Sequence, residues 1–237
     1  MTNATYTRRR GELETYFDRT AAQAWARLTS TAPVGRVRAT VRAGRDRMRN
    51  TLLSWLPQDL RGQRILDAGC GTGALAMEAA QRGAHVVAID LSPTLVNLAR
   101  ERLPEALTTA PGWGSIDFRS GDMLDPALGE FDHVVAMDSL IHYREIDIVA
   151  SLSKLAERTR ASIVFTAAPR TPATMLLLGI GRLFPRGDRS PAIEPVSPQV
   201  LRCLMARDPV FATWETGRFE LITGGFYKSQ AIEWKRQ

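Results

Sequence analysis

The stretch Ile65-Leu66-Asp67-Ala68-Gly69-Cys70-Gly71-Thr72-Gly73 limits the folds open to this chain more than any other. Arg64 to Ala68 reads as a short apolar strand, Gly69 to Gly73 as a tight turn, and Ala74 to Gln81 as a helix of strong helix formers. Glycines at alternate positions let the main chain turn sharply and let a ligand come against it where any Cβ would obstruct. The helix opening at Gly73 points its first N–H groups back at that ligand, which suits an anionic group such as a carboxylate. About twenty residues on, His85 to Asp90 reads as a second buried strand ending in an acid that can accept both hydroxyls of a ribose.

This spacing also occurs in dinucleotide sites, but those want G-x-G-x-x-G, with pyrophosphate on the helix. Here an acid, Asp67, leads the run Gly69-x-Gly71-x-Gly73 and would repel a pyrophosphate. It suits a ligand carrying an amine beside its carboxylate, as the methionine end of S-adenosylmethionine does. From about residue 60 to 170 the chain resembles the class I S-adenosylmethionine-dependent methyltransferases. The resemblance implies a Rossmann-like α/β fold, with a mostly parallel seven-stranded sheet, helices on both faces and an N-terminal helical lid. S-adenosylmethionine is then the co-substrate, with no protein-bound metal. By the same resemblance Asp67, Gly69, Cys70, Gly71 and Gly73 surround the methionine, and Asp90 and Leu91 meet the ribose. Asp122 and Met123, in Phe118-Arg119-Ser120-Gly121-Asp122-Met123, meet the adenine, and Asp138 closes the fourth strand against the cofactor.

At 237 residues the chain accommodates one sizeable α/β domain with appendages. We divide it into an N-terminal helical lid over 1–57 and a methyltransferase domain over 58–237, with a substrate-specific insertion at about 170–210. Cys70 and Cys203 form neither a disulfide framework nor a metal-binding spacing, which fits a reducing compartment. No apolar run is long enough for a transmembrane helix, and the polar, arginine-rich start has no signal core. The expected location is cytoplasmic, with peripheral attachment to a membrane. Eleven of the arginines lie in the first 50 residues against four acids, so that region carries +7 and the remainder of the chain is about neutral. A basic arm on a near-neutral core points to an anionic partner or to a solvated helix face.

Residues 12 to 29 place Leu13, Tyr16, Phe17, Ala21, Ala24, Trp25 and Leu28 mostly three or four apart, which predicts an amphipathic helix; a second is expected between Pro33 and Pro57. Strands are expected at about 64–68, 85–90, 115–119, 132–137 and 162–167. Helices near 74–82, 93–102 and 145–158 alternate with them as in a doubly wound parallel sheet. Ser92-Pro93 is a helix entry with a serine cap. A proline-rich segment from Arg170, with the apolar run Met175 to Ile180, precedes a helix led by Ser197-Pro198 and two strand-like segments at about 212–222 and 225–234.

Methyl transfer from a sulfonium needs alignment and exclusion of water more than it needs a metal. A carboxylate acceptor, with an ordinary pKa of about 4–4.5, is already ionised at neutral pH, whereas a phenol needs a base. Asp138-Ser139-Leu140-Ile141-His142-Tyr143, Glu14-Thr15-Tyr16-Phe17-Asp18 and Gly181-Arg182-Leu183-Phe184-Pro185 resemble segments of the magnesium-protoporphyrin IX O-methyltransferases of chlorophyll and bacteriochlorophyll synthesis, a resemblance covering nearly the whole chain. It implies esterification of one propionate of a magnesium porphyrin, with a magnesium chelatase as an expected contact. His142 is then expected to orient or deprotonate the accepting propionic acid, and Tyr16 to close over the site. Phe17, Trp25, Tyr143, Leu176 and Phe184 would wall the macrocycle. The arm's arginines, Arg42, Arg45 and Arg49 among them, are expected to hold the second propionate or to face anionic lipid. Three other readings stay open at this level: a phenolic or quinone-precursor O-methyltransferase, a basic RNA-modifying or RNA-binding protein, and a non-catalytic pigment carrier. The arm has few interleaved aromatics and the insertion is apolar, so no nucleic-acid partner is expected.

Overall fold

The computed structural model describes residues 4–20, 25, 28–29, 33–104, 112–171, 174 and 192–237. Helix α1 (Ala4–Thr15) runs on into a π-helical turn, Tyr16–Thr20, and α2 (Arg36–Ser54) follows. Then come β1 (Arg64–Ala68), α3 (Ala74–Gln81), β2 (His85–Asp90), α4 (Pro93–Glu101), β3 (Ser115–Ser120) and β4 (Phe131–Ala136). The chain finishes with α5 (Glu145–Ala156), β5 (Thr159–Ala167), α6 (Pro198–Arg207), β6 (Trp214–Gly224) and β7 (Tyr227–Arg236).

The seven strands lie in the order β3-β2-β1-β4-β5-β7-β6. The first five pair in parallel, and β7 enters antiparallel between β5 and β6. Chain direction reverses its progress across the sheet between β1 and β4, the place where open α/β sheets leave a crevice beyond their strand ends. Side chains alternate between two cores, as a strand period of two requires. Leu66, Val134 and Ile163 join Tyr6, Leu13 and the α5–α6 side, whereas Ile65, Val135 and Val164 join Met48, Leu52 and Leu53 of α2 with α3 and α4. The N-terminal segment therefore contributes to both faces, and α2 shares the central core rather than resting on it.

Each expected strand and helix of the central sheet is present, with bounds differing by up to three residues. Ser92 caps α4 by accepting from Leu95 N at 3.2 Å, with Pro93 at the first helical position. The N-terminal helix differs: it begins at Ala4, eight residues earlier than periodicity indicated. Docking, not amphipathic pattern, explains this start. Thr5 donates to Asp147 at 2.7 Å, the Tyr6 hydroxyl to Asp122 at 2.7 Å, and Arg9 to the His142 carbonyl at 2.9 Å. Ala21, Ala24, Leu176, Phe184 and the run Met175 to Ile180 lie outside the described residues.

Candidate active site

A cavity of about 530 Å³ opens at the β1/β4 crevice. Asp67, Gly69 and Gly71 line one side, Asp90, Leu91 and Met123 another, and Ser139, His142 and Tyr143 a third. Leu13, Phe17, Trp25 and Leu28 of the N-terminal segment close it from above, with Arg42, Arg45 and Arg49 of α2 beside them. Ligand pockets run to about 300–1,000 Å³ for a drug-sized molecule, so this chamber has room for a ligand of nucleoside size.

The glycine turn divides its labour. Gly69, Gly71 and Gly73 all have positive φ, at 89°, 53° and 78°. A Cβ on Gly71 would meet nothing, and its N–H donates to Asp90 Oδ2 at 2.8 Å. On Gly69 a Cβ would collide with Ser139, and on Gly73 it would lie 2.9 Å from the Phe118 ring. Gly73 lets α3 pack close to Phe118, whereas Gly69 and Gly71 line the cavity.

Asp67 is 1% exposed. Burial above all, and then the negative field of Asp90, raise its carboxyl from 3.8 to about 7, against a hydrogen bond from the Ala76 N–H in the first turn of α3. Its Oδ2 has no partner among the described residues. Asp90 is also pushed upward by burial, although Oδ1 accepts from Ser92 N at 2.9 Å and Oδ2 from Gly71 N. Among the described residues neither acid forms an ion pair, so the wall favours a cationic guest with hydroxyls or an amine. Cys70 lines the same wall, and burial raises its thiol well above its ordinary range.

Asp122 departs from expectation. Its Oδ1 accepts from the Tyr6 hydroxyl at 2.7 Å and from Leu124 N at 2.9 Å, and its Oδ2 from Arg10 at 2.7 Å. Gly121 and Met123 line the cavity while Asp122 turns away from it to anchor α1. Asp138 is diverted as well. Its carboxylate pairs with Arg45 at 2.6 Å, accepts from the Tyr227 hydroxyl at 3.1 Å and lies 3.2 Å from Thr166 Oγ1. It holds φ at 54°, a left-handed conformation stabilised by those partners and by its own N–H donating to Thr166 Oγ1 at 2.7 Å. It borders the cavity as a strut between β4, α2 and the β6–β7 hairpin.

His142 is 5% exposed, with its ring 5.7 Å from that of Phe17 and Nδ1 3.4 Å from the Ala192 carbonyl. Tyr143 stacks on Tyr6 with ring centroids 5.1 Å apart, and burial raises its phenol. Trp25 lies 5.9 Å from Phe17 and carries the Arg45 guanidinium 4.6 Å above its ring. Tyr16 packs edge-on against Phe17 at 5.2 Å, and Phe17 lines the cavity. Arg42, Arg45 and Arg49 face the cavity rather than lipid: Arg42 donates to the Leu28 carbonyl at 2.9 Å, and Arg49 pairs with Asp46 and Glu78. Their spacing of three and four residues puts them on one face of α2.

A doubly wound sheet with a glycine turn, a buried and a half-buried acid, and a nucleoside-sized chamber at its crevice defines a class I methyltransferase, and the general methyltransferase-domain model matches residues 65–161. The family model described as the magnesium-protoporphyrin IX methyltransferase C-terminus matches residues 136–236. The magnesium-protoporphyrin O-methyltransferase of Rhodobacter capsulatus is 48% identical over 97% of this chain and 98% of its own length, so the chain belongs to that family. The crystal structure of magnesium protoporphyrin IX methyltransferase from Synechocystis with bound SAH superposes with a TM-score of 0.81 at 26% identity, covering 96% of this chain and 99% of that one. A ubiquinone biosynthesis O-methyltransferase from Xanthomonas oryzae is 34% identical, but only over 54% of this chain and 55% of its own.

Proposed function

We propose that this protein transfers the methyl group of S-adenosylmethionine to a propionate carboxylate of magnesium-protoporphyrin IX, giving the monomethyl ester in (bacterio)chlorophyll synthesis. The observation that carries the reading is the orphaned, buried Asp67 Oδ2 on a cavity wall that also holds Asp90 and His142. Asp67 answers a methionine ammonium, Asp90 the ribose hydroxyls, and Leu91 and Met123 the apolar faces of the nucleoside. Cys70 and Gly71 leave main chain open to the ligand, and the cations of α2 with the α3 N-terminus favour its carboxylate. When bound, S-adenosylmethionine supplies an electrophilic methyl on a sulfonium, and the chain's own residues need only align the acceptor and keep water out.

His142 serves as orienter or base at the accepting carboxyl. Because an ionised carboxylate needs no strong base, His142→Phe is expected to keep partial activity, whereas a phenolic substrate would lose turnover entirely. Phe17, Trp25 and Tyr143 supply an apolar wall for the macrocycle. The quinone-precursor alternative has kinship over only half the chain, and the basic arm has few aromatics interleaved with its arginines to support the nucleic-acid alternative.

No helix among the described residues is long and apolar enough to cross a membrane. For peripheral attachment we put forward a different surface from the cavity-facing arginines. Arg36, Val37 and Arg38 are exposed at the start of α2, beside exposed Phe226 in the β6–β7 turn, whose neighbour Gly225 abuts Thr40. Basic side chains around apolar ones suit an anionic bilayer surface. Direct delivery of substrate by a magnesium chelatase accords with a substrate that is the product of metal insertion. The decisive assay uses labelled S-adenosylmethionine with magnesium-protoporphyrin IX, its metal-free form and a catechol; product only with the catechol refutes the substrate assignment.

A further inference from the structure

Arg9 spends its guanidinium on carbonyls from two segments far along the chain. Nε donates to His142 O at 2.9 Å and Nη2 to Ala192 O at 2.6 Å, while Nη1 pairs with Glu12 at 3.0 Å. The Ala192 carbonyl also faces His142 Nδ1 at 3.4 Å. A carbonyl can only accept, so Nδ1 carries the hydrogen and Nε2 is the basic nitrogen of the neutral ring. The turn around His142 already runs beside the segment returning from the insertion, with Glu194 N donating to Ile141 O at 2.9 Å and Val196 N to Ala168 O at 2.9 Å. Arg9 adds α1 to that pair, and does so from outside the cavity, since it is not among the lining residues.

We propose that Arg9 is a positioning residue for methyl transfer. It binds α1, the His142 turn and the 192–196 segment into one unit and so holds the imidazole in one tautomer and one direction. The inference rests on the reading of His142 as the group that meets the accepting carboxyl. A planar guanidinium reaches both carbonyls at once; the single ammonium of lysine cannot reproduce that fork. The side chain is about one-fifth exposed, so water can take over the freed carbonyls and the fold survives its loss. Alignment does not survive, and a displacement of about 1 Å at a reacting geometry costs roughly a hundredfold in rate.

The test compares Arg9→Met, Arg9→Lys, His142→Asn and the Arg9→Met/His142→Asn double variant. Turnover of magnesium-protoporphyrin IX is measured alongside calorimetric affinity for S-adenosylmethionine. Arg9→Met is expected to lower kcat by about 10- to 100-fold with cofactor affinity unchanged, Arg9→Lys to recover part of the loss, and Arg9→Met to add nothing once His142 is gone. The proposal fails if Arg9→Met keeps full kcat, if cofactor affinity falls in step with it, or if its effect is undiminished in an impaired His142→Asn background. Full turnover by His142→Asn refutes the His142 reading itself.

Discussion

Replacing Asp67 by asparagine is expected to make the ligand-free protein more stable and the enzyme worse. The folded carboxyl sits near 7 rather than at its ordinary 3.8, mainly through burial. A raised acid pKa means that the folded state holds more protons than the unfolded one across that interval. Stability from this group therefore falls as pH rises from about 3.8 to about 7, and the full penalty persists above. At 1.36 kcal/mol per pH unit the penalty is on the order of 4 kcal/mol. Asparagine keeps an acceptor for the Ala76 N–H but carries no charge, so it relieves most of that cost. For a chain of this size that amounts to roughly 10 °C in thermal midpoint at pH 8, and to little at pH 4. A ligand ammonium, by contrast, loses a charged partner worth about 1.5–3 kcal/mol, so cofactor affinity is expected to drop by roughly 10- to 150-fold. Thermal unfolding of both proteins from pH 4 to 8.5, with calorimetric titration of S-adenosylmethionine, measures both quantities. Equal pH slopes for the two proteins, or undiminished affinity in the variant, would refute the reasoning.

Three further outcomes are expected. Gly71→Ala pays only for a left-handed alanine, about 1–2 kcal/mol, but puts its methyl where the ligand approaches; Gly69→Ala adds a collision with Ser139 and should lower the melting temperature further. Comparing melting temperature with cofactor affinity in the two variants separates these effects. In a double-mutant cycle, Arg45→Met and Asp138→Asn should couple by about 0.5–3 kcal/mol in urea unfolding, because each leaves the other's buried partner unmet. Tyr6→Phe removes the hydroxyl that anchors α1 on Asp122 and should increase proteolytic cleavage within α1 while costing about 1 kcal/mol or less of global stability.

The central sheet was legible because its strands are short apolar runs between turn residues, and because both faces of a parallel strand are buried. The glycine turn was legible for a similar local reason: Gly69, Gly71 and Asp67 need no distant partner to be recognised. What escaped reading was set by partners far along the chain. Asp122 looked like a ligand acid until Tyr6 and Arg10, more than a hundred positions away, claimed its oxygens. Asp138 was in the same position relative to Arg45 and Tyr227. The early start of α1 follows from the same contacts, which no periodicity within residues 1–20 encodes. The packing of Gly73 against Phe118 was equally hidden, because a glycine that admits a ligand and one that admits a phenyl ring look alike in a string of letters.

The cavity's upper wall comes from Leu13, Phe17, Trp25 and Leu28, and its cationic side from α2, all before the first strand. A fragment starting near residue 58 would retain the glycine turn and its acids yet lose Phe17, Trp25 and the arginines of α2 from the cavity wall. The borders of the motif and the borders of the reaction vessel do not coincide, and because Met48, Leu52 and Leu53 sit in the sheet's own core, exchanging that leading segment between relatives would alter ceiling and floor together.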